Sequence, residues 1–164
     1  MEFAAAFVVF FLVCYAILTY GLIFTAQQSV TLAAEEGARA ALRWQGGGDA
    51  WQARAEQALA VAQTQSDWLR RVAGAAAVPI TVCGKNAAGE VVQAGSGPCE
   101  PDTLRAGQMV VVVSYLYASA PLVPSLLGSL RVGTPERLVG RAGICLGVAV
   151  TLDQDCGSTG AAPT

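Results

Sequence analysis

The 164-residue sequence contains no histidine, which removes the commonest general base, the commonest metal ligand and the usual pH-sensitive side chain together. Positive charge is also scarce, because ten Lys and Arg stand against twelve Asp and Glu, and Lys85 is the only lysine. The formal net charge of −2 argues against binding of nucleic acid through a basic face. We therefore expect no catalytic residues, no metal site, no cofactor and no nucleic-acid partner.

Charge is missing altogether from Phe3 to Ala34. The most apolar part of this run, residues 3–24, would form about 33 Å of helix, against a bilayer hydrocarbon core of roughly 30 Å. A signal peptide is disfavoured because the start is acidic and the run is long. Cleavage after Ala26 would also place bulky Phe24 where a small residue is needed. The sequence predicts a retained transmembrane helix.

The five cysteines divide by position. Cys14 lies inside the apolar run, where a free thiol behaves as a small hydrophobe. The other four lack the CxxC pairs typical of zinc sites, and without histidine the common mixed zinc site is excluded. An even number of cysteines beyond a membrane span favours disulfide bonds in an oxidising compartment. The alternative is that all four are reduced, buried thiols. We expect Cys83 to pair with Cys99 and Cys145 with Cys156, because each pair is close in sequence, although four cysteines allow three connectivities.

These cysteines indicate that the part beyond the span faces the periplasm or the exterior. The positive-inside rule points the other way, since no basic residue precedes the span and Arg39 is the first to follow it. A basic leader upstream of Met1 would reconcile the two.

The segment "TAQQSVTLAAEEGARAALRW" has no proline, so the first helix is expected to continue to about Trp44. Its one face is made mostly of small residues at helical spacing: Val30, Ala33, Ala34, Gly37, Ala41 and Trp44. Small side chains let another backbone come close, so we expect a tight contact at Gly37 and Ala41, either with the head or with another helix. The opposite face is charged, with Glu35 and Arg39 at the favourable i,i+4 spacing.

Three glycines in "QGGGD" end this helix. A second helix is expected from about Ala50 to Ala73, and a break near Ser66 is left open. Its predicted apolar face consists of Trp51, Ala55, Leu59, Ala62, Leu69 and Val72.

Strands and turns follow Pro79. "PITVCG" and "EVVQ", joined by "KNAAG", predict a hairpin with Gly89 at a positive-φ position. "MVVVVSYLYA" predicts a central strand because it is apolar on both faces. "PLVPSLLGSL" predicts a connection with a short helical turn, and "RLVGRAGICLGVAVTL" predicts a last strand whose glycines mark close packing or a bulge. The expected fold class is α+β, with a long N-terminal helix and a second helix packed on a small antiparallel sheet.

The "EFA" opening, the "AQQ…AAEEGARAA" stretch and the strand followed by "PLVPSLLG" resemble the TadE-like minor pilins of tight-adherence (Tad/Flp) type IV pilus systems. The resemblance covers most of the chain and implies a pilin-like fold. It implies an inner-membrane precursor, cleaved by a prepilin peptidase, that the pilus assembly platform builds with other pilin subunits into an extracellular filament or its tip. The implied role is adhesion or surface attachment.

By this resemblance, Glu2 corresponds to the family's acidic residue near the mature N-terminus, and Phe3 to the aromatic residue after it. The acid of pilin-like proteins normally stands fifth after the cleavage point, whereas here it is second. We therefore expect the mature protein to begin a few residues upstream of Met1. The residues expected to act in assembly are Glu2, Phe3, Phe7, Gly37 and Ala41.

The expected domains are a transmembrane or filament-core helix (1–24), its amphipathic continuation (25–44), a periplasmic or extracellular head (45–157) and a disordered tail (158–164). In the last part of the head, just before the tail, Asp153 and Asp155 alternate as in calcium loops, but the remaining EF-hand ligands are missing, which favours an ordinary acidic loop. A minor or tip subunit is favoured over the main shaft, since the family's major pilins are much shorter.

The alternative function is a monomeric, single-span membrane anchor that carries a periplasmic binding module. An anchor needs only hydrophobicity. It gives no reason for an acid at the start of the span or for a small-residue face that continues well beyond it.

Overall fold

The computed structural model describes residues 2–43, 50–86, 88–123 and 134–146. Its helices are α1 (Glu2–Arg43), α2 (Ala50–Gln65) and α3 (Asp67–Ala73), followed by a 3-10 turn at Ala75–Ala77. The 42 residues of α1 form a rod about 63 Å long. Its length follows from the absence of proline between its ends.

The predicted second helix is interrupted at Ser66, which separates α2 from α3. The Ser66 side chain is fully buried, and its hydroxyl donates to the Ala62 carbonyl at 2.8 Å. Leu69 is buried as predicted, but Val72 is 67% exposed, so its assignment to the apolar face was wrong. The helical phase continues through the turn, since Ala62 and Leu69, seven residues apart, are both fully buried. Val72 lies at the margin of the apolar face, where the described part of the head does not cover it.

The four strands form one antiparallel sheet in the order β2-β1-β3-β4. They are β1 (Ile80–Lys85), β2 (Val91–Gly95), β3 (Gln108–Tyr115) and β4 (Leu138–Cys145). The β1–β2 hairpin turns through Gly89, whose φ is +88°, as predicted. The strand predicted to be central, β3, is paired on both sides. The fold class is therefore α+β, as expected.

The second half of α1 and all of α2 cover one face of the sheet, and the core lies between these layers. From β3, the inward-facing side chains are completely buried: Met109, Val111, Val113 and Tyr115. From α1, the buried side chains are mostly small: Ala26, Val30, Ala33, Ala34, Ala38 and Ala41. Small helix residues opposite larger strand residues bring α1 close to the sheet. In this way the second half of the 42-residue helix becomes part of the head.

The closest approach is between α1 and β4. A Cβ placed on Gly140 would lie 2.2 Å from the carbonyl oxygen of Val30, so no other residue fits without moving backbone. Next to it, the Gln27 side-chain amide donates to the Val139 carbonyl at 3.1 Å. The glycine in the last strand therefore marks close packing, which was one of the two predicted roles.

Several sequence predictions fall outside the described residues. The first two are the helix end at Trp44 and the helical turn expected within "PLVPSLLGSL" from Pro124 on. The others are the second half of the predicted last strand, the loop with Asp153 and Asp155, and the tail.

We expect Gly140→Ala to lower the free energy of unfolding by about 1–3 kcal/mol, as overpacking does, because the neighbouring atoms are backbone. Gly143→Ala is the matched control on the same strand, since a Cβ there meets nothing nearer than 3.7 Å. The control should change stability by no more than about 0.5 kcal/mol. Urea unfolding of the full chain in detergent, followed by tryptophan fluorescence, measures both. Equal stability of the two variants would contradict the backbone contact.

Candidate functional site: the N-terminal helix

The first part of α1 exposes large apolar side chains around its whole circumference. Phe3 is 85% exposed and Phe7 58%. Other members of this exposed surface are Val8, Val9, Phe10, Phe11, Leu12 and Val13. A continuous apolar surface of this kind marks a contact with membrane or with protein. Among the described helices, α1 alone is long and apolar enough to cross a membrane.

From Tyr15 onward, α1 has two different faces. One face turns toward the head and becomes progressively buried, with Thr19 at 9%, Ile23 at 7% and Ala26 at 0% exposure. The other face stays open and apolar, since Ile17 and Phe24 are each 66% exposed. One helix therefore provides a free apolar rod at its N-terminal end and a core element at its C-terminal end.

Glu2 is the first residue of α1. The first turn of a helix carries unpaired N–H groups and a partial positive charge, which favour an acidic residue there. Phe3 follows in the same turn, and Phe7 lies one turn further along. The structure thus brings the three N-terminal assembly candidates onto one end of the rod, the end most distant from α2.

Gly37 and Ala41 lie in a different environment, the contact between α1 and α2. A Cβ on Gly37 would lie 3.0 Å from the Ala58 carbonyl oxygen and 3.2 Å from the Ala62 Cβ. Ala41 is completely buried. The tight contact expected at these residues is therefore made with the chain's own head, and a direct role in contacts between subunits stays a prediction.

The charged face of α1 is open to solvent. Arg39 pairs with Glu36 at 2.7 Å and more loosely with Glu35 at 3.9 Å, so the nearer partner is at i+3 and not at the predicted i+4 spacing. Exposed pairs of this kind contribute little to stability.

Two polar contacts that the sequence did not reveal join α1 to the helices beside it. Arg54 Nη1 donates to the Ala41 carbonyl at 2.8 Å, and a cation suits the C-terminal turn of a helix. The Trp68 indole N–H donates to the Ser29 hydroxyl at 2.8 Å. Both join residues far apart in sequence, so only the antiparallel packing of α1 with α2 and α3 brings them together.

No group of three or more His, Cys, Asp or Glu side chains in the described part of the chain could hold a metal ion. A cavity of about 300 Å³ lies at the far end of the head, lined by Leu42, Ala50, Trp51, Arg54, Cys145 and Leu146. Its lining offers no pair of an acid and a base, and the Arg54 guanidinium already bonds to α1.

The structure contains the predicted disulfide between Cys83 and Cys99, with Cα atoms 5.8 Å apart. Cys83 points to the face of the sheet opposite α1, so the disulfide holds the loop after β2 against that second face. Cys145 is also disulfide-bonded, whereas Cys156, its predicted partner, lies outside the described residues. Cys14 is a free thiol of intermediate exposure.

Comparison with known families gives one match. Residues 1–39 match the model of the family described as TadE-like protein. No curated protein and no solved structure matches the chain at a significant level. The family match confirms the resemblance to TadE-like pilins for α1 as far as Arg39. The matched residues are 39 of the chain's 164, so the resemblance of the head stays a prediction.

We expect Gly37→Leu to destabilise the head by at least about 1–3 kcal/mol, since overpacking costs that much and the position is closed by Ala58 and Ala62. Gly21→Leu is the matched control on the same helix, because a Cβ at Gly21 meets nothing within 4 Å. The melting temperatures of the two purified variants decide the point. If Gly37→Leu melts like the control, the close α1–α2 contact is wrong.

Alkylation followed by intact-mass measurement tests the cysteines. Before reduction, only Cys14 should react, and after reduction all five cysteines should react. Opening the Cys83–Cys99 disulfide should cost about 3 kcal/mol, the value for a loop near 15 residues. Alkylation of Cys83 or Cys99 without reduction would refute both the pairing and the oxidising compartment.

Proposed function

We propose that this chain is a structural minor pilin subunit, built into a Tad-type pilus or placed at its tip through the N-terminal end of α1. The pilus would serve adhesion or surface attachment. The observation that supports the proposal is that the two ends of α1 lie in different environments. Its N-terminal end is apolar and exposed on all sides, while its C-terminal half is the core of the head. The TadE-like match over residues 1–39 lies on this same helix.

The partners follow from this role. Before assembly, the apolar end of α1 would hold the subunit in the bacterial inner membrane as a single span, with the head in the periplasm. The Cys83–Cys99 disulfide supports an oxidising compartment for the head. Prepilin peptidase would process the precursor, and the assembly platform would transfer α1 from lipid to the apolar helices of other pilin subunits.

Glu2 is the residue that distinguishes a subunit from a simple anchor. A carboxylate at the edge of the bilayer can reach the lipid headgroups, but in a filament core it would be desolvated at a cost of several kcal/mol unless it is paired. The free N-terminal amine of a neighbouring subunit, generated by leader cleavage, would supply that pair. An ion pair between neighbours would then set their register along the filament.

The second candidate is a monomeric anchor with a periplasmic binding module. The cavity of about 300 Å³ at the far end of the head favours it, since small-molecule sites are concave and of comparable volume. An anchor of this kind makes no use of an acid at Glu2, so the two functions give different results for the same variant.

We expect Glu2→Ala to leave membrane insertion and head folding unchanged, and to reduce strongly both crosslinking to other pilins and surface piliation. The reason is that Glu2 lies at the end of α1 most distant from α2 and contributes to contacts between subunits. Glu35→Ala is the matched control, because it removes an exposed carboxylate from the same helix within the head. Normal assembly of Glu2→Ala would favour the anchored binding module.

A further inference from the structure

The head covers α1 earlier than a membrane span allows. The contact of α1 with the head begins at Tyr15, which is partly buried, and Thr19, one turn further along, is only 9% exposed. Residues 3–14, which precede this contact, make only about 18 Å of helix, against roughly 30 Å of hydrocarbon. If α1 spans the bilayer, about 12 Å of that thickness must be met by residues that also contact the head.

The open face of α1 shows how far lipid must reach. Ile17, Leu18 and Phe24 are each about two-thirds exposed, and none of them is charged. Such side chains need an apolar neighbour on the side away from the head. Lipid that covers Phe24 on the open face of α1 therefore lies at the same depth along the helix as the nearest end of the head, which packs on the opposite face.

That end of the head is formed by two adjoining segments, Val72–Ala77 and Leu116–Val123, which we name the proximal edge. They are joined by a hydrogen bond from the Leu116 N–H to the Ala77 carbonyl at 2.8 Å. Neither contains a charged residue. Val72 is 67% exposed and Leu116 36%. Further exposed members are Gly74, Ala75, Ala76 and Pro121.

In the second segment of the proximal edge, the backbone donors from Leu116 to Ala120 are satisfied internally. Each backbone N–H from Leu116 to Ala120 donates to a carbonyl of the chain, and Pro121 has none to offer. The Ser119 hydroxyl donates to the Leu116 carbonyl at 2.8 Å, and the Tyr115 hydroxyl donates to the Ala120 carbonyl. Internal pairing of this kind suits a loop at the edge of hydrocarbon, because unpaired backbone groups are costly there.

Charged residues flank the edge on both sides. Arg71 follows Asp67 on α3, and the two pair at 2.9 Å. Glu136 and Arg137 precede β4, and the Glu136 carbonyl accepts from the Ala118 N–H at 3.0 Å. These charged side chains fit the headgroup layer, and the uncharged edge between them fits the apolar boundary below it.

We propose that the proximal edge is a lipid-contacting surface, which sits in the headgroup and acyl boundary of the bilayer while the subunit is anchored by α1. The inference rests on the membrane-anchored state of the proposed function. Its consequence is that lipid holds the head as well as the helix, so extraction into a filament must free both from the bilayer.

The test uses the full chain with Cys14→Ala, in phosphatidylethanolamine and phosphatidylglycerol vesicles. Single cysteines are introduced by Ser119→Cys and, in a second protein, by Pro121→Cys, and each is labelled without reduction with the environment-sensitive dye NBD. Ala88→Cys, in the β1–β2 turn at the opposite end of the sheet, is the matched head control. Ile17→Cys reports on the span itself. Quenching by nitroxide-labelled lipids measures contact with the bilayer.

We expect the labels at positions 119 and 121 to have blue-shifted emission and to be quenched severalfold more strongly than the label at 88. Quenching at 17 with none at 119 and 121 would overturn the inference and leave the span intact. Weak quenching of the label at 119, together with disulfide formation between two copies of the unlabelled Ser119→Cys protein, would also overturn it in favour of a protein contact. Loss of quenching at 17 would reject the membrane span and therefore the proposed function as well.

Discussion

The structure depends on the approach of α1 to its neighbours at backbone distance. Gly37 closes the contact with α2, and Gly140 closes the contact between β4 and the Val30 carbonyl. Because these contacts use backbone and mostly small side chains, α1 serves as part of the core of the head with few large residues of its own. Its large apolar residues are concentrated at the other end, where the head does not reach them. The same helix can therefore fold a domain and present an apolar rod.

Much of this fold follows from local sequence signals. The hairpin was predicted from Gly89, and the central position of β3 from a run apolar on both faces, and both are confirmed. The small-residue face of α1 was also predicted, but its partner was left open. A pattern of small residues indicates that another backbone packs closely against the helix, and it does not identify that backbone. The partners of α1 are α2 and the sheet of the same chain.

The sequence failed where the result depends on tertiary contacts. Val72 fits the helical spacing of an apolar face, but the head does not cover it and its side chain is 67% exposed. The Arg54–Ala41 and Trp68–Ser29 hydrogen bonds join residues on different helices, and no spacing rule relates them. At the assembly end, the positions of Glu2 and Phe3 came from the resemblance to pilins, because one acid before an apolar run has no specific meaning by itself.

The central claim is that the N-terminal end of α1 meets other pilin subunits. The most direct test places a photoreactive amino acid at Phe7, which is 58% exposed, and at Ala88 on the head, and identifies the adducts formed in piliated cells by mass spectrometry. The account predicts that position 7 captures the α1 helices of other pilins. Adducts of position 7 with lipid alone, together with capture of a periplasmic partner by position 88, would contradict it.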